Sequence, residues 1–254
     1  MRTVILSISV FILINGCFNK KISTDSIYPD LSNPIKNQEQ WQIDSYRKRI
    51  PDFKENPIGF DKIVFLGNSI TSGAGDWNIR FGLENQIVNR GIGGDITGGV
   101  LARLNEIFYY KPKAVFLLIG LNDIFNGDIP NIEDDISYVA KNIIKIASRI
   151  KRYSPKTKIF IQTILPVNRN QFKRVRGFYP NHKKPVNDKI NQINLKLYEY
   201  SSDNGYTIID LNSIFKNENR EMDEKFSIDG VHLNESGYNL WTNHIKQYLI
   251  ELTQ

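Results

Sequence analysis

Five short apolar runs punctuate the chain, at 62–66, 86–89, 113–119, 158–164 and 206–211. Each is rich in Val, Ile and Phe and is bounded by Gly, Pro or charge. That is the pattern of strands buried on both faces of a parallel sheet. Amphipathic stretches lie between them. Residues 97–109 carry Val100, Leu101, Leu104 and Phe108 on one helical face. Residues 132–153 repeat Ile136, Val139, Ala140, Ile143, Ile146, Ala147 and Ile150 close to the helical period. Residues 186–201 and 236–252 complete the set, and 38–50 has the composition of a helix on the domain surface. This alternation predicts a single doubly wound α/β domain, three-layered α/β/α, with a central five-stranded parallel sheet. No internal repeat is visible.

In such a sheet, ligands bind at the carboxyl ends of the strands. The loops 67–75, 90–99 and 120–123 should therefore open on one rim, and 229–232, just ahead of the last helix, can fold back over it.

The rim segments carry the candidate chemistry. Ser69 sits in a Gly-flanked turn two residues past the first strand, where its hydroxyl is exposed; the other reading is a helix N-cap or turn serine. A phosphate cradle fits less well, because the loop lacks both the Walker lysine and GxGxxG spacing. Asp229 stands three places ahead of His232, one of only three histidines. That spacing lets the carboxylate accept from Nδ1 and leaves Nε2 free for a serine hydroxyl, whereas a lone histidine is more often structural. Asn122 follows the third strand and can donate to an oxyanion, or close an Asx turn. Gly93 and Gly94, without Cβ atoms, leave backbone N–H groups open to a substrate; alternatively they form a tight turn with Asp95 capping the helix from Thr97.

Four blocks, Gly67-Asn68-Ser69-Ile70-Thr71, Gly91-Ile92-Gly93-Gly94-Asp95, Gly120-Leu121-Asn122-Asp123 and Asp229-Gly230-Val231-His232, thus occur in order on the expected rim. In this the chain resembles the SGNH hydrolases, also called the GDSL lipase/esterase family, from about 62 to 249. The resemblance implies a flavodoxin-like sheet and a serine esterase working through an acyl-enzyme without cofactor. It makes Ser69 the nucleophile, His232 the base and then the acid, and Asp229 the group that orients it. The backbone N–H groups of Ser69 and Gly94 and the amide of Asn122 would form the oxyanion hole. One departure is visible: many members have Asp where this chain has Asn68. The chain lacks the G-x-S-x-G turn of the α/β-hydrolases.

Composition narrows the picture further. The net charge is +6, from 33 Lys and Arg against 27 Asp and Glu. The basic residues are scattered rather than gathered in a stripe with aromatics, which argues against nucleic-acid binding. The His and carboxylate residues form no recognisable metal-ligand spacing. The single Cys excludes internal disulfides.

That cysteine, Cys17, closes a separate N-terminal pattern. An apolar run over 4–14 has signal-peptide length and is too short for a comfortable membrane span. Ile14-Asn15-Gly16-Cys17 resembles a bacterial lipobox, in which the Cys is lipidated. An ordinary secretory signal or an uncleaved anchor are the other readings. The expected organisation is a lipoprotein signal at 1–17, a polar tether at 18–36 and the hydrolase domain at 37–254, held by lipid at the bacterial envelope. The sequence does not fix an oligomeric state.

The rim loops pair aromatic with polar residues: Asp76-Trp77-Asn78, Asn126-Gly127-Asp128, and 168–184 with Phe172, Phe178 and Tyr179. This suits sugar rings better than long acyl chains. Arg169, Lys173, Arg174, Arg176, Lys183 and Lys184 make 167–184 either a basic lid for an anionic substrate or a solvated loop. The wording of the first two blocks is similar to the branch containing platelet-activating-factor acetylhydrolase-like proteins and carbohydrate acetylesterases. The expected substrate is an O-acetylated carbohydrate, sialic acids included. The alternatives are a lysophospholipase- or thioesterase-like lipid acyl hydrolase and, from another class, a non-catalytic glycan-binding lipoprotein.

Overall fold

A computed structural model describes residues 27–201 and 205–253. Cys17, the segment 1–17 and residues 18–26 lie outside the described residues. The described chain runs through α1 (Gln40–Glu55), β1 (Ile63–Gly67), α2 (Ser69–Ser72), α3 (Trp77–Phe81), β2 (Ile87–Gly91), α4 (Thr97–Ala102) and α5 (Asn105–Tyr110). It continues through β3 (Ala114–Leu118), α6 (Leu121–Phe125), α7 (Asp135–Tyr153), β4 (Lys158–Gln162), α8 (Arg169–Arg176), α9 (Val186–Ser201), β5 (Thr207–Ile209) and α10 (Glu235–Thr253).

The five strands pair in parallel in the order β2-β1-β3-β4-β5. Chain order reverses between β1 and β3, so the loops after these two strands diverge and leave a crevice. Every residue of β1 and β3 is buried, which explains why their sequences read as unbroken apolar runs. Register aligns Phe65 with Phe116 and Phe116 with Phe160. Their rings stack at 4.9 Å and 4.5 Å across three strands. Trp77 extends the stack at 4.1 Å from Phe65 and meets Trp241 of α10 edge-on. Each such pair contributes about 0.5–1.5 kcal/mol beyond its buried area. Trp77, placed on the rim by its polar sequence neighbours, is therefore a core residue.

Three boundaries differ from the sequence pattern. The helix expected over 97–109 is two helices, because Arg103 turns inward at the break to meet Asp95 and the carbonyl of Gly67. Residues 168–184, read as a loop, open with α8. Residues 27–36, assigned by composition to the tether, pack on the domain instead. Ile27 is buried, Tyr28 Oη lies 3.0 Å from both Phe53 O and Glu106 Oε1, and Leu31 and Ile35 cover the cluster of Tyr46, Ile50, Phe53 and Ile92. A few well-placed apolar side chains outweigh the polar average of the segment.

Close approach of two loops fixes the nucleophile turn. A Cβ at Gly91 would sit 2.2 Å from Ser72 N and 2.8 Å from Asn68 O. Because both obstacles are backbone, Gly91→Ala must displace α2 or β2. Overpacking of this kind costs about 1–3 kcal/mol. The expected result is a stability loss at the top of that range, read from urea unfolding as a lowered midpoint with m unchanged. An unaltered midpoint would refute the packing described.

Candidate active site

Asn68 ends β1's loop in an extended conformation, and its Oδ1 accepts from Ile70 N at 3.0 Å. It thereby caps α2, whose first residue is Ser69. Asn caps a helix as well as Asp does, so the departure at this position leaves the turn intact. Ser69 and His232, 163 positions apart in the chain, meet in space: Ser69 Oγ lies 3.0 Å from His232 Nε2. His232 Nδ1 lies 2.8 Å from Asp229 Oδ2.

The loop carrying Asp229 and His232 is held by its own backbone. Asp229 Oδ1 accepts from the N–H groups of Val231 (3.0 Å) and His232 (2.8 Å). Ser227 Oγ donates to His232 O and accepts from Gly230 N. Gly230 has φ of +84°, and a Cβ there would meet Asn168 O at 2.4 Å. The glycine is thus required twice, by its conformation and by the start of α8 pressing on it. From the end of α8, Arg176 donates through Nε and Nη2 to Asp229 Oδ2.

On the opposite side, Gly94 adopts φ of +75°. Asn122 Nδ2 donates to Asp95 O at 2.9 Å, which spends one amide hydrogen and leaves the second for another acceptor. Asp95 does not cap the helix from Thr97. It is buried against Arg103 at 2.8 Å, and Asp123 reaches across to accept from Thr97 N and Oγ1 instead. The third block is therefore tied both to the second, through Asp95, and to the helix that follows it, through Thr97.

Ser69, Gly94, Asn122 and His232 line one cavity of about 620 Å³. That lies within the usual ~300–1,000 Å³ of small-ligand sites. His182 and His244 are not among its lining residues. Among the described residues, no cluster of His, Cys, Asp and Glu is arranged to hold a metal ion. No helix of the described residues is long and apolar enough to cross a membrane.

A family model, the GDSL-like lipase/acylhydrolase family, matches residues 65–240 and so spans the sheet and every residue of this constellation. The chain belongs to the GDSL-like lipase/acylhydrolase family. It is a hydrolase acting on esters. No curated protein matches it. Among solved structures, the GDSL-like hydrolase is similar to a protein of Streptococcus pneumonia named for platelet activating factor, at 26% identity and a TM-score of 0.68, covering 82% of this chain and 94% of that one. A GDSL-like lipase from Bacteroides thetaiotaomicron shares its fold at 22% identity and a TM-score of 0.64, covering 81% and 97%. An acetyl xylan esterase does so at 18% identity and a TM-score of 0.58, covering 74% and 99%.

Several residues of the site have roles that the sequence did not assign. Arg176 lay in a stretch read as lid or solvated loop, and Arg103 on what read as a continuous helix. Glu39, Trp41 and Ser45 of the α1 region also line the cavity, from outside the span of the GDSL-like family match. The basic lid is partly neutralised: Arg174 pairs with Glu224, Arg176 with Asp229 and Lys183 with Asp128.

Two carboxylates near the site should give stability opposite slopes with pH. Burial works against the charge on Asp229, yet hydrogen bonds from the His232 ring and backbone and from Arg176 hold its carboxyl well below the usual range. A depressed folded value means stability that is present above the unfolded pKa of about 3.9 and lost as pH falls below it. Burial pushes Asp123 up to about 7, against the hydrogen bonds from Thr97. Between about pH 4 and 7 the folded form therefore holds a proton that the unfolded chain releases, and stability declines as pH rises. Thermal melts from pH 3 to 8 should show both limbs. Burial also pushes Asp95 up to about 6, so Asp123→Asn should make the upper limb shallower without abolishing it, and spare the lower; an unchanged upper limb would show that Asp123 does not titrate there.

Proposed function

We propose that the protein is a serine esterase that removes short acyl groups, principally O-acetyl, from carbohydrate at the bacterial envelope, where Cys17 would carry its lipid anchor. The observation that carries this reading is the continuous chain from Ser69 Oγ through the His232 ring to Asp229, with both links at 3.0 Å or less, opening on a cavity. In this mechanism His232 Nε2 takes the Ser69 proton as Oγ attacks the ester carbonyl. The oxyanion takes hydrogen bonds from the N–H groups of Ser69 and Gly94 and the spare hydrogen of Asn122. His232 then gives its proton to the departing alcohol, and water hydrolyses the acyl-enzyme by the same route.

The alcohol side supports a polar, ring-shaped group. The aromatic residues Phe172 and Phe178 meet edge-to-face at 5.7 Å, and they line the cavity together with Arg176. Acetyl xylan ester hydrolysis, the activity named for one fold neighbour, is chemistry of this class. A lipid acyl hydrolase is the second reading, favoured by the apolar residues Leu121, Phe125 and Val231 in the same wall. Acetate release from a panel of O-acetylated sialic acids and acetylated xylan fragments separates the two. The expected result is release from at least one glycan, with p-nitrophenyl acetate turned over faster than the octanoate and palmitate. A preference for the long chains, with no acetate released, would replace the first reading by the second.

A further inference from the structure

We propose that Trp41 is the residue that limits acyl length, by closing the acyl end of the cavity from outside the region shared with the family; this rests on the serine-esterase reading above. The helix α1 lies wholly before residue 65, where the family match begins. It nevertheless brings the Trp41 ring against the candidate oxyanion glycine. A Cβ on Gly94 would meet the indole at 2.3 Å, so the ring packs against the Cα face of that glycine. The indole is anchored, because its Nε1 donates to Glu39 Oε2 at 2.5 Å. Glu39 is itself fixed at the helix start, where its N–H donates to Gln42 Oε1. Trp41 is 47% exposed and lines the cavity.

Reaction chemistry decides which part of the substrate meets this ring. The group that donates a proton to the leaving oxygen is His232, so the alcohol must depart along the wall formed by His232, Val231, Phe172 and Arg176. The carbonyl oxygen points at the donors of Ser69, Gly94 and Asn122. The remaining substituent on the carbonyl carbon, the acyl chain, then lies on the Gly94 side, beneath Trp41. An acetyl methyl fits against an indole face. Each added methylene must displace the ring, and pocket discrimination of this kind reaches roughly 10- to 200-fold.

The test is kcat/KM of the full-length protein on p-nitrophenyl acetate, butyrate and octanoate for wild type, Trp41→Ala, Trp41→Phe and Glu39→Ala. The octanoate-to-acetate ratio within each variant is independent of how much of it is active. Trp41→Ala should raise that ratio at least ~10-fold. Trp41→Phe, which keeps a ring but loses the Nε1 donor, and Glu39→Ala, which frees the indole, should both fall between. If Trp41→Ala does not fold, the Glu39→Ala ratio decides. A ratio unmoved in Trp41→Ala and Glu39→Ala, with wild type active, overturns the inference and leaves the esterase reading standing. A wild type that hydrolyses none of the three esters overturns both.

Discussion

Ser69→Ala should lose roughly 10⁴- to 10⁶-fold in kcat on p-nitrophenyl acetate and all labelling by a fluorophosphonate probe, with almost no change in melting temperature. The loss is large because, in the proposed mechanism, the hydroxyl is the attacking atom, and what would survive is the modest catalysis of bound water beside the proposed oxyanion donors. The stability cost is small because Oγ is half-buried and has one partner, His232 Nε2. The cap on α2 is supplied by Asn68 and does not depend on Ser69. Activity and stability are thus separable at this position, which makes the variant a clean probe. Equal labelling of wild type and Ser69→Ala would remove Ser69 as nucleophile. A second hydroxyl, Ser45 of α1, lines the same cavity and would be the next position to test.

The parts of the molecule that were legible in the sequence share one property: their residue types are dictated locally. Buried strands must be apolar along their length, so β1 and β3 stood out at once. Gly230 is demanded by a positive φ and Gly91 by backbone contact, so the blocks that contain them keep a recognisable wording. Asp229 and His232 are neighbours in one turn, and their spacing announced the pairing. The less legible parts depend on distant partners. Arg176 becomes part of the site only because α8 is pinned by Asn168 against Gly230, 53 residues away from the carboxylate's own turn. Trp41 approaches Gly94 through the docking of α1, whose own sequence says only that it suits a helix on the domain surface. Asp123 caps α4 from another loop, and the local candidate, Asp95, is drawn away by Arg103. Tertiary partners of this kind leave no period or spacing to read.

Asp229→Asn should cost about 10³- to 10⁴-fold in kcat, and it should also destabilise the fold, unlike Ser69→Ala. The reason lies in the donors aimed at this side chain. Oδ2 accepts from His232 Nδ1 and from Arg176 Nε and Nη2, while Oδ1 accepts from the backbone of Val231 and His232. A carboxylate satisfies all of them; an amide offers one oxygen and two hydrogens. If Asn keeps its oxygen toward the backbone, its NH2 faces His232 and Arg176. The imidazole must then accept at Nδ1 and carry its proton on Nε2, where it donates to Ser69 and cannot act as base. If the amide flips, its hydrogens oppose two backbone N–H groups instead. The first orientation strands the half-exposed Arg176 donors, which water can satisfy in part; the flipped one leaves the backbone donors of the loop without an acceptor, at about 1–3 kcal/mol. Arg176→Ala tests the same arrangement from outside. It removes a half-exposed partner and leaves the carboxylate and the imidazole tautomer in place, so its loss in kcat should stay below about tenfold. Steady-state kinetics and thermal melts on the two variants check the pair. Asp229→Asn retaining more than about a tenth of wild-type kcat would mean that the tautomer of His232 is fixed by some group other than Asp229.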